Sequence, residues 1–351
     1  MKSEKLRWIK KITAKQIAVM CVIMVAIYFV ARPAGVDDQD EVNMVGSMGS
    51  SYDESEECDP YCDVHMVYVL HDSGYLVKTE IPAASDLSSV ESVFTGIQGG
   101  SDRLRSSVAG LIPQSAVLRD YVVDNDVLTL DLSESFLYYR TSVEEDLLAS
   151  LVWSMTELAD VARVHFQIEG ENVNNLNGGI DVGRGLTRQM GINLEVGTSR
   201  VFDAQMMMLY FFTDSADDAM LVPVTRLVAP EVETFEYAVS SLVRGPVGAS
   251  YVSVFNHRAT LLEQPKLEDG IMTLNFCSEL FFNQEQTQVS SQVIKQLVMT
   301  MTEFDEVHEV SVVIEGSSRV FDDAGNPITI PVSRDVVLGS EDRAGGFVKE
   351  Y

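Results

Sequence analysis

The hydrophobic and polar positions along the chain follow the same pattern twice. Residues 155–170 read MTELADVARVHFQIEG, and residues 301–316 read MTEFDEVHEVSVVIEG. Each passage predicts the end of a helix, a short loop and a strand whose alternate positions are apolar. Repetition of a whole passage indicates a repeated fold, because a single active site needs no second copy.

Each copy opens with an apolar strand, a turn built on Asp-Ser and a second extended stretch. The first opening reads VYVLHDSGYLVKTEIPA from Val67, and the second reads LYFFTDSADDAMLVPVTRLVA from Leu209. Aligning the two openings places Tyr68 opposite Tyr210. The two copies are therefore predicted to begin with equivalent strand pairs.

Two helices are predicted in each copy. The first has an apolar face made of Val90, Val93, Phe94 and Ile97 in one copy and of Phe235, Val239, Leu242 and Val243 in the other. The second has apolar stripes at Val143, Leu147, Leu148, Leu151, Val152 and Met155 and at Val289, Val293, Ile294, Leu297, Val298 and Met301. Ser88 with Glu91, and Ser142 with Glu145, have the spacing of a capping box, so we expect helices to begin there.

Paired strands separate the helices. Asn125-Asp126 and Asp269-Gly270 predict hairpin turns, and Asp-Gly is a strong type I′ sequence. Glu169-Gly170 and Glu315-Gly316 are predicted to turn the chain after the last strand of each passage. The order in each copy is roughly β(β)αββαβ. It predicts an α+β fold of two tandem small domains, each with helices packed on one face of a mostly antiparallel sheet.

The N-terminal region differs from both copies. Residues 1–16 form a basic tail, and residues 17–31 (IAVMCVIMVAIYFVA) carry no charge. An uncleaved transmembrane helix fits this run. The excess of positive charge before it then places the N-terminus in the cytoplasm and both copies outside, as a single-pass cell-membrane protein. A cleaved signal peptide and a lipid-modified Cys21 are the alternatives, although Phe29, Val30 and Arg32 do not resemble a cleavage site.

The remaining boundaries follow from composition. Residues 32–63 are acidic and rich in Gly and Ser, which predicts a flexible stalk. The first domain is predicted at 64–190, a linker at 191–205, the second domain at 206–339 and a polar C-terminal tail at 340–351. The net charge of −28 over 351 residues would repel a phosphate backbone, so no nucleic-acid partner is expected.

The three cysteines after the predicted transmembrane helix form one close pair and one single residue. Cys58 and Cys62 flank Asp-Pro-Tyr, and outside the membrane a short-loop disulfide between them is plausible. Metal binding by Cys58, Cys62 and nearby acidic residues is less favoured, because no second ligand pair is spaced for it. Cys277 lies in a strand pattern opposite Ser133 and is interpreted as a buried free thiol.

Candidate chemistry is sparse. The five histidines lie outside any metalloprotease pattern, and there is no nucleophile-elbow, P-loop or dinucleotide-binding sequence, so no catalytic, cofactor-binding or metal residue is predicted. Glu157 and Glu303 repeat near the end of the second helix, where each is expected to act structurally within its own domain. Arg188 and Arg334 are repeated cations in an acidic chain, so they are candidate interface residues, with a salt bridge to nearby acids as the alternative. The acidic loop 214–218 is read as a solvated turn, and weak Ca²⁺ binding is the alternative.

Taken in order, these motifs resemble the GerMN domain in tandem, as in the GerM family of spore-forming bacteria. The residues that carry the resemblance are VYVLHDSGYLV, TLDLSESF and MTELADVARVHFQIEG, followed by LYFFTDSADDAMLVP, VRGP, MTLNFCSELF and MTEFDEVHEVSVVIEG. The resemblance implies a fold like the ring-building motifs of secretion systems. It also implies a membrane-attached, extracytoplasmic protein of sporulation and germination that helps to assemble a channel between mother cell and forespore. The sequence around Cys21 departs from the lipobox of lipoprotein members of the family, which favours a spanning helix over a lipid anchor.

Two functions are compatible with these features. The first is a non-enzymatic structural protein that joins protein partners of a sporulation envelope complex, with possible self-association, because two similar modules in series can pack head to tail. The second is an extracytoplasmic module that binds cell-wall polymer or a small ligand.

Overall fold

The computed structural model describes residues 64–338, apart from 216–217, 233, 248–249 and 283–286. The predicted basic tail, transmembrane helix, stalk and C-terminal tail, together with Cys21, Cys58 and Cys62, lie outside the described residues. Within the described part, no helix combines the length and the apolar character needed to cross a membrane.

The elements appear in the predicted order. The first repeat contains β1 (Val64–His71), β2 (Leu76–Pro82), α1 (Ser89–Gly96), β3 (Val108–Ala109), β4 (Leu118–Asp124), β5 (Val127–Leu132), α2 (Glu144–Met155), β6 (Arg163–Ile168) and β7 (Glu171–Asn172). The connection between the repeats contains β8 (Glu195–Val196). The second repeat contains β9 (Gln205–Thr213), β10 (Leu221–Val228), α3 (Thr234–Arg244), β11 (Tyr251–Val252), β12 (Lys266–Glu268), β13 (Ile271–Phe276), α4 (Ser291–Met301), β14 (Glu309–Ile314), β15 (Val332–Ser333) and α5 (Arg334–Leu338).

Both predicted hairpin turns are confirmed. Asn125 and Asp126 have φ values of 45° and 66°, and Asp269 and Gly270 have 50° and 79°. Positive φ at both central residues is the type I′ geometry, whose twist matches that of the flanking strands. Each turn joins an outer strand to the strand at the centre of a small sheet, β4 to β5 and β12 to β13.

One of the two predicted capping boxes forms. The backbone N–H of Ser88 donates to Glu91 Oε2 at 2.9 Å, and the N–H of Glu91 donates to Ser88 Oγ at 3.2 Å, so α1 begins as predicted. The box predicted at Ser142 and Glu145 is wrong, because Ser142 lies inside a 3-10 turn and α2 begins at Glu144 without a side-chain cap. The buried carboxylate of Glu144 instead accepts hydrogen bonds from the backbone N–H groups of Gly178 and Ile180. A tertiary contact therefore sets the start of this helix, and no local cap does.

The strand pairs are mostly antiparallel, as predicted, but the expectation of one sheet per repeat is wrong. The opening hairpins of both repeats join one seven-stranded sheet in the order β11-β9-β10-β2-β1-β3, with β8 beside β10. The other strands form two four-stranded sheets, β4-β5-β6-β7 and β12-β13-β14-β15, in each of which the central pair is parallel. A parallel pair needs a crossover, and α2 and α4 supply it.

The same crossover helices also cover the open sides of β1 and β9. Among the strands that the structure describes, β1 has a neighbour at Tyr68 only on the β2 side. The Tyr68 backbone bonds instead to α2: its N–H donates to Ser154 Oγ at 2.8 Å, and its carbonyl accepts from Ser150. In the second repeat the N–H of Tyr210 donates to Thr300 Oγ1 of α4 at 3.0 Å. Covering an edge with a helix satisfies backbone groups that would otherwise be open to pairing. One buried apolar cluster then runs through both repeats, from Val67 to Val337.

Candidate functional site

Three residue pairs that repeat in the sequence meet in the structure as two related clusters. Tyr68, Glu157 and Arg188 form the first cluster, and Tyr210, Glu303 and Arg334 form the second. In each cluster a strand of the shared sheet supplies the tyrosine, the turn after the crossover helix supplies the glutamate, and a later segment supplies the arginine. The sequence identified all three repeated pairs, but it did not predict that they would contact one another.

The first cluster is centred on the carboxylate of Glu157. Its Oε1 accepts from Tyr68 Oη at 2.7 Å and from Arg188 Nη2 at 2.6 Å. Its Oε2 accepts from Lys78 Nζ at 2.9 Å. The Lys78 side chain is only 1 % exposed, so this ion pair is largely removed from solvent. Buried charges of this kind persist only when they are paired and hydrogen-bonded.

Arg188 is held on two further sides. Its Nε donates to Thr156 Oγ1 at 2.8 Å, and its guanidinium carbon lies 4.8 Å from the centre of the Trp153 ring. The Trp153 indole N–H in turn donates to the carbonyl of Gly191 at 3.1 Å. A guanidinium over an indole face gains a cation–π attraction in addition to the ion pair.

The second cluster keeps the core of this arrangement with fewer partners. Tyr210 Oη donates to Glu303 Oε1 at 2.8 Å, and Arg334 Nη2 donates both to Glu303 and, at 3.1 Å, to Tyr210 Oη. Thr302 corresponds to Thr156, but its hydroxyl donates to the carbonyl of Val298. Among the described residues, the buried Nε of Arg334 consequently has no hydrogen-bond partner. Met299 stands where the first cluster has Trp153, and Pro223 stands where it has Lys78.

The charges in the first cluster favour a permanently ionised glutamate. Burial alone would raise the pKa of Glu157, but Lys78 and Arg188, with hydrogen bonds from Tyr68 and Lys78, lower it to about 2. Burial lowers the pKa of Lys78, and the attraction of Glu157 offsets part of that effect. Burial also raises the pKa of Tyr68, and the neighbouring Tyr210 and Glu157 raise it further. A carboxylate that stays charged and fully paired near neutral pH is poorly suited to shuttling a proton.

The two clusters face each other across the seam, which is the boundary in the shared sheet between β2 and β10. In register across this sheet, Tyr68 pairs with Lys78, and Lys78 pairs with Leu221 of the second repeat. Arg334 of the second cluster accordingly lowers the pKa of Lys78 in the first, although burial is the larger cause. The expectation that Glu157 and Glu303 act separately, each in its own domain, is therefore revised, because both carboxylates lie at the seam.

One side chain from the connection closes the seam. Between the two repeats, Pro223 corresponds to Lys78 and Leu221 corresponds to Leu76. Leu76 and Pro223 therefore lie opposite each other across the seam, as Lys78 and Leu221 do, but Pro223 has no N–H to donate. Asn193 fills this position: its Nδ2 donates to the carbonyls of Leu76 and Pro223, each at 2.7 Å, and its Oδ1 accepts from the N–H of Leu76 at 2.9 Å. Its φ of 46° lies in the left-handed region, which asparagine tolerates better than most residues.

The residues next to Asn193 also pack into the sheet. The N–H of Ile192 donates to Thr225 Oγ1 at 2.9 Å, and β8 pairs in parallel with β10. On β8, Glu195 accepts from Arg226 Nε at 2.8 Å in an ion pair whose two side chains are 5 % and 4 % exposed. The connection at 191–196 is thus a structural part of the seam.

Most of the remaining sequence candidates have partners within the chain. Arg188 and Arg334 form the salt bridges that were the alternative to an interface role. Asp218, from the acidic loop, accepts from Arg105 Nη1 at 2.9 Å and from Ser107 Oγ at 2.7 Å. Cys277 is a free thiol, half-buried where the sequence predicted it buried, and it accepts from the N–H of Thr260 as Ser133 does from that of Val117. No group of metal ligands occurs in the part of the chain that the structure describes.

Sequence reasoning missed Lys78 and Asn193. Lys78 is absent from the second repeat, so the comparison of the copies could not single it out. A cation directly after the apolar residues Leu76 and Val77 was the available signal for Lys78. Asn193 lies in a segment rich in Gly and Asn that is typical of a linker, and no local signal set it apart.

Comparison with known proteins agrees with this architecture. A family model described as "Germane: Sporulation and spore germination" matches residues 66–174 and 208–320. The spore germination protein GerM of Bacillus subtilis (strain 168) is 27 % identical over 277 residues, covering 76 % of each protein. The solved structure of the tandem GerMN domains of the sporulation protein GerM from Bacillus subtilis matches with a TM-score of 0.71 at 24 % identity, covering 78 % of this chain and 97 % of that one. The resemblance identified from the sequence is thereby confirmed, and with it the tandem fold.

Proposed function

Because the chain belongs to the Germane family of sporulation and spore germination proteins, we propose that it is a non-enzymatic scaffold of the sporulating cell envelope. In this proposal it assembles or stabilises a ring-like complex between mother cell and forespore. Its partners are other proteins of that complex, with self-association as part of the assembly. It needs no cofactor for this role.

One observation carries the proposal. The repeated charged residues Glu157, Arg188, Glu303 and Arg334 all bond within the chain, at the seam that joins the two repeats into a shared sheet. An arrangement that uses its buried charges to fix the relative position of two modules supports a structural role. A rigid pair of modules can present a constant geometry to neighbours, which head-to-tail assembly into a ring requires.

The proposal includes anchoring of the chain in the cell membrane. The uncharged run at 17–31 and the basic residues before it support a single-pass helix with a cytoplasmic N-terminus and both repeats outside. A protease-protection experiment on intact protoplasts tests this arrangement. Digestion of both repeats with survival of an N-terminal tag is expected, and protection of the repeats would contradict it.

Arg188 and Arg334 remain candidate interface residues. Their side chains are 30 % and 27 % exposed, so part of each remains accessible to a partner. Arg188 also lines a surface hollow of about 500 Å³ together with Thr156, Ala162 and Arg163. Simple charge reversal would break an internal ion pair as well. The sharper variant is the exchange Glu303→Arg with Arg334→Glu, which keeps the internal attraction and reverses the charge that the surface presents.

In vivo crosslinking with affinity purification, in sporulating and in growing cells, tests the function. We expect envelope-complex proteins to be recovered in sporulating cells only, with loss of recovery for the exchanged pair and normal recovery for Arg258→Glu, an exposed control in the loop after β11. Recovery of cell-wall polymer in growing cells, unchanged by the exchange, would instead favour the wall-binding alternative.

A further inference from the structure

The edge strands of the three sheets differ sharply in length. In the described part of the chain, β3, β7, β8, β11 and β15 have two residues each, and β12 has three. The edge strand β4 has seven. Short edges are one way in which proteins prevent unwanted strand pairing, and a long edge leaves a row of backbone groups open to another strand.

The register of the hairpin identifies which backbone groups of β4 point outward. Residues that flank a two-residue turn form a hydrogen-bonded pair, and bonded and non-bonded pairs alternate from there. Asp124 pairs with Val127 at the turn, so Val122 also bonds to β5, whereas Tyr121 and Val123 direct their N–H and C=O groups away from it. No strand pairs with this outer side in the residues that the structure describes.

The N–H group of Tyr121, the one farther from the turn, is blocked, and the second repeat blocks the equivalent position in a different way. The N–H of Tyr121 donates to the carboxylate of the preceding Asp120 at 2.8 Å. In the second repeat Lys266 corresponds to Val122, because Lys266 pairs with Thr273 as Val122 pairs with Thr129. The residue before it, Pro265, therefore corresponds to Tyr121. Proline removes the donor permanently, whereas a side chain on the surface can move aside.

The surface along β4 is unusually apolar for an exposed edge. Val122 is 58 % exposed and Val123 is 44 % exposed, and Val117, just before the strand, is 55 % exposed. Asp120 and Asp124 flank Val122 on one face of the strand, since alternate residues share a face. The edge therefore presents a β-branched centre between two carboxylates.

These charges decide between possible occupants. If β4 paired antiparallel with a second copy of itself about Val122, Asp120 would face Asp124 of the other chain twice, and like charges opposite each other destabilise a strand pair. Each chain also carries a net charge of −28. A strand with Lys or Arg opposite the two aspartates and a β-branched residue between them has the complementary pattern.

We propose that β4 is a docking edge that accepts an extended, basic and β-branched segment of another protein as an additional strand of the first repeat's small sheet. Strand addition draws affinity from main-chain hydrogen bonds and specificity from alternate side chains. The incoming strand bonds to the outward groups of Val123 and Tyr121 and displaces the Asp120 carboxylate. The second repeat, with a short edge behind Pro265, does not take part.

A peptide of alternating Val and Lys, matched to β4 in length, is the probe, and its affinity for the full-length chain is measured by fluorescence anisotropy. Val123→Pro removes an outward N–H without changing the charge, and Val123→Thr is the matched control that keeps it. We expect Val123→Pro to weaken binding at least about tenfold and Val123→Thr to leave it within about twofold. Replacing Lys by Glu in the peptide should abolish binding.

Amide hydrogen exchange on the unmodified chain gives a second measurement that needs no variant. Saturating peptide should slow exchange of the Val123 amide at least about tenfold and leave the amide of Leu267, its counterpart in β12, unchanged. Equal affinity for Val123→Pro and Val123→Thr, or no protection of Val123, would mean that net charge alone attracts the peptide and would overturn the proposal. A dimer of the chain that Val123→Pro abolishes would also overturn it, by assigning the edge to a second copy.

The inference rests on strand lengths, register and charge and does not depend on the sporulation role. Peptide binding decides the docking edge, and crosslinking in sporulating cells decides the proposed function. Failure of one experiment therefore leaves the other proposal standing.

Discussion

The side-chain amide of Asn193 donates to the carbonyl of Pro223 at 2.7 Å, and so joins a connecting segment to a central strand that cannot donate at that position. The same amide group also bonds to Leu76, on the other side of the seam. One residue from the connection therefore replaces strand-to-strand hydrogen bonds where the two repeats meet. The consequences of this seam can be measured.

Asn193→Ala should lower the free energy of unfolding by about 2–3 kcal/mol, because buried backbone groups of Leu76 and Pro223 lose their partners. Part of the loss comes from the positive φ, which alanine tolerates poorly. Asn125→Ala is the control, since Asn125 has nearly the same φ in an exposed turn. Urea denaturation measures both variants, and equal losses would assign the whole effect to backbone strain.

Glu157→Gln should remove a pH-dependent contribution to stability. The pKa of Glu157 is about 2 in the folded chain against 4.5 for a free side chain. Because the folded pKa is the lower one, this contribution is fully present above about pH 4.5 and is lost as the pH falls toward about 2. The difference corresponds to about 3 kcal/mol at neutral pH.

Stability of the wild type and of Glu157→Gln, measured by denaturant titration at several pH values, checks this expectation. The two curves should converge at low pH. Glu171→Gln, which changes an exposed carboxyl on β7, serves as the control and should follow the wild type. A gap between wild type and Glu157→Gln that stays constant across the acidic range would contradict the assignment.

Arg334→Met should destabilise the chain by about 3 kcal/mol, because it leaves the half-buried Glu303 carboxylate without a cation. Arg188→Met should cost less, since Lys78 still neutralises Glu157. Adding Glu303→Gln to Arg334→Met should recover a large part of the loss. A double-mutant cycle from unfolding curves measures the coupling, and additive effects would show that the two groups do not interact.

Ser154→Ala should cost about 2 kcal/mol, because the buried N–H of Tyr68 loses its acceptor. Thr300→Val should act likewise on Tyr210 in the second repeat. Ser240→Ala is the control, since the Ser240 hydroxyl bonds only within α3 and its own turn. Amide exchange at Tyr68 and Tyr210 should accelerate in the corresponding variant alone, and unchanged exchange would contradict the role given to the two helices.

Much of the local structure was predictable because its signals are local. Positive φ at Asp269-Gly270 follows from residue type, and the apolar stripe of α2 follows from helical periodicity. The start of α2 was not predictable, because Glu144 bonds to a loop more than thirty residues away. The joining of β2 to β10 was not predictable either, since hydrogen bonds between the backbones of two strands leave no mark on either sequence.

The candidate site shows the same division. Tyr68, Glu157 and Arg188 each have a counterpart in the second repeat, and that shared repetition was the available sign that they act together. Lys78 and Asn193 have no counterpart of the same residue type in the second repeat, and they lie at the places where the two repeats differ. A residue that breaks the symmetry of a repeat is invisible to a search for what the copies share.

The parts of the seam are synthesised at different times. Leu76 and Asn193 are 117 positions apart, so the inner side of β2 has no partner until a much later part of the chain has been made. Domains fold in the order of their synthesis, and an unpaired strand edge is prone to wrong pairing while it waits. Asn193 and β8 precede β9 and β10 along the chain. Asn193 is therefore synthesised before the second repeat and is available to bond to Leu76, and so to cover part of that edge, before β10 has been made.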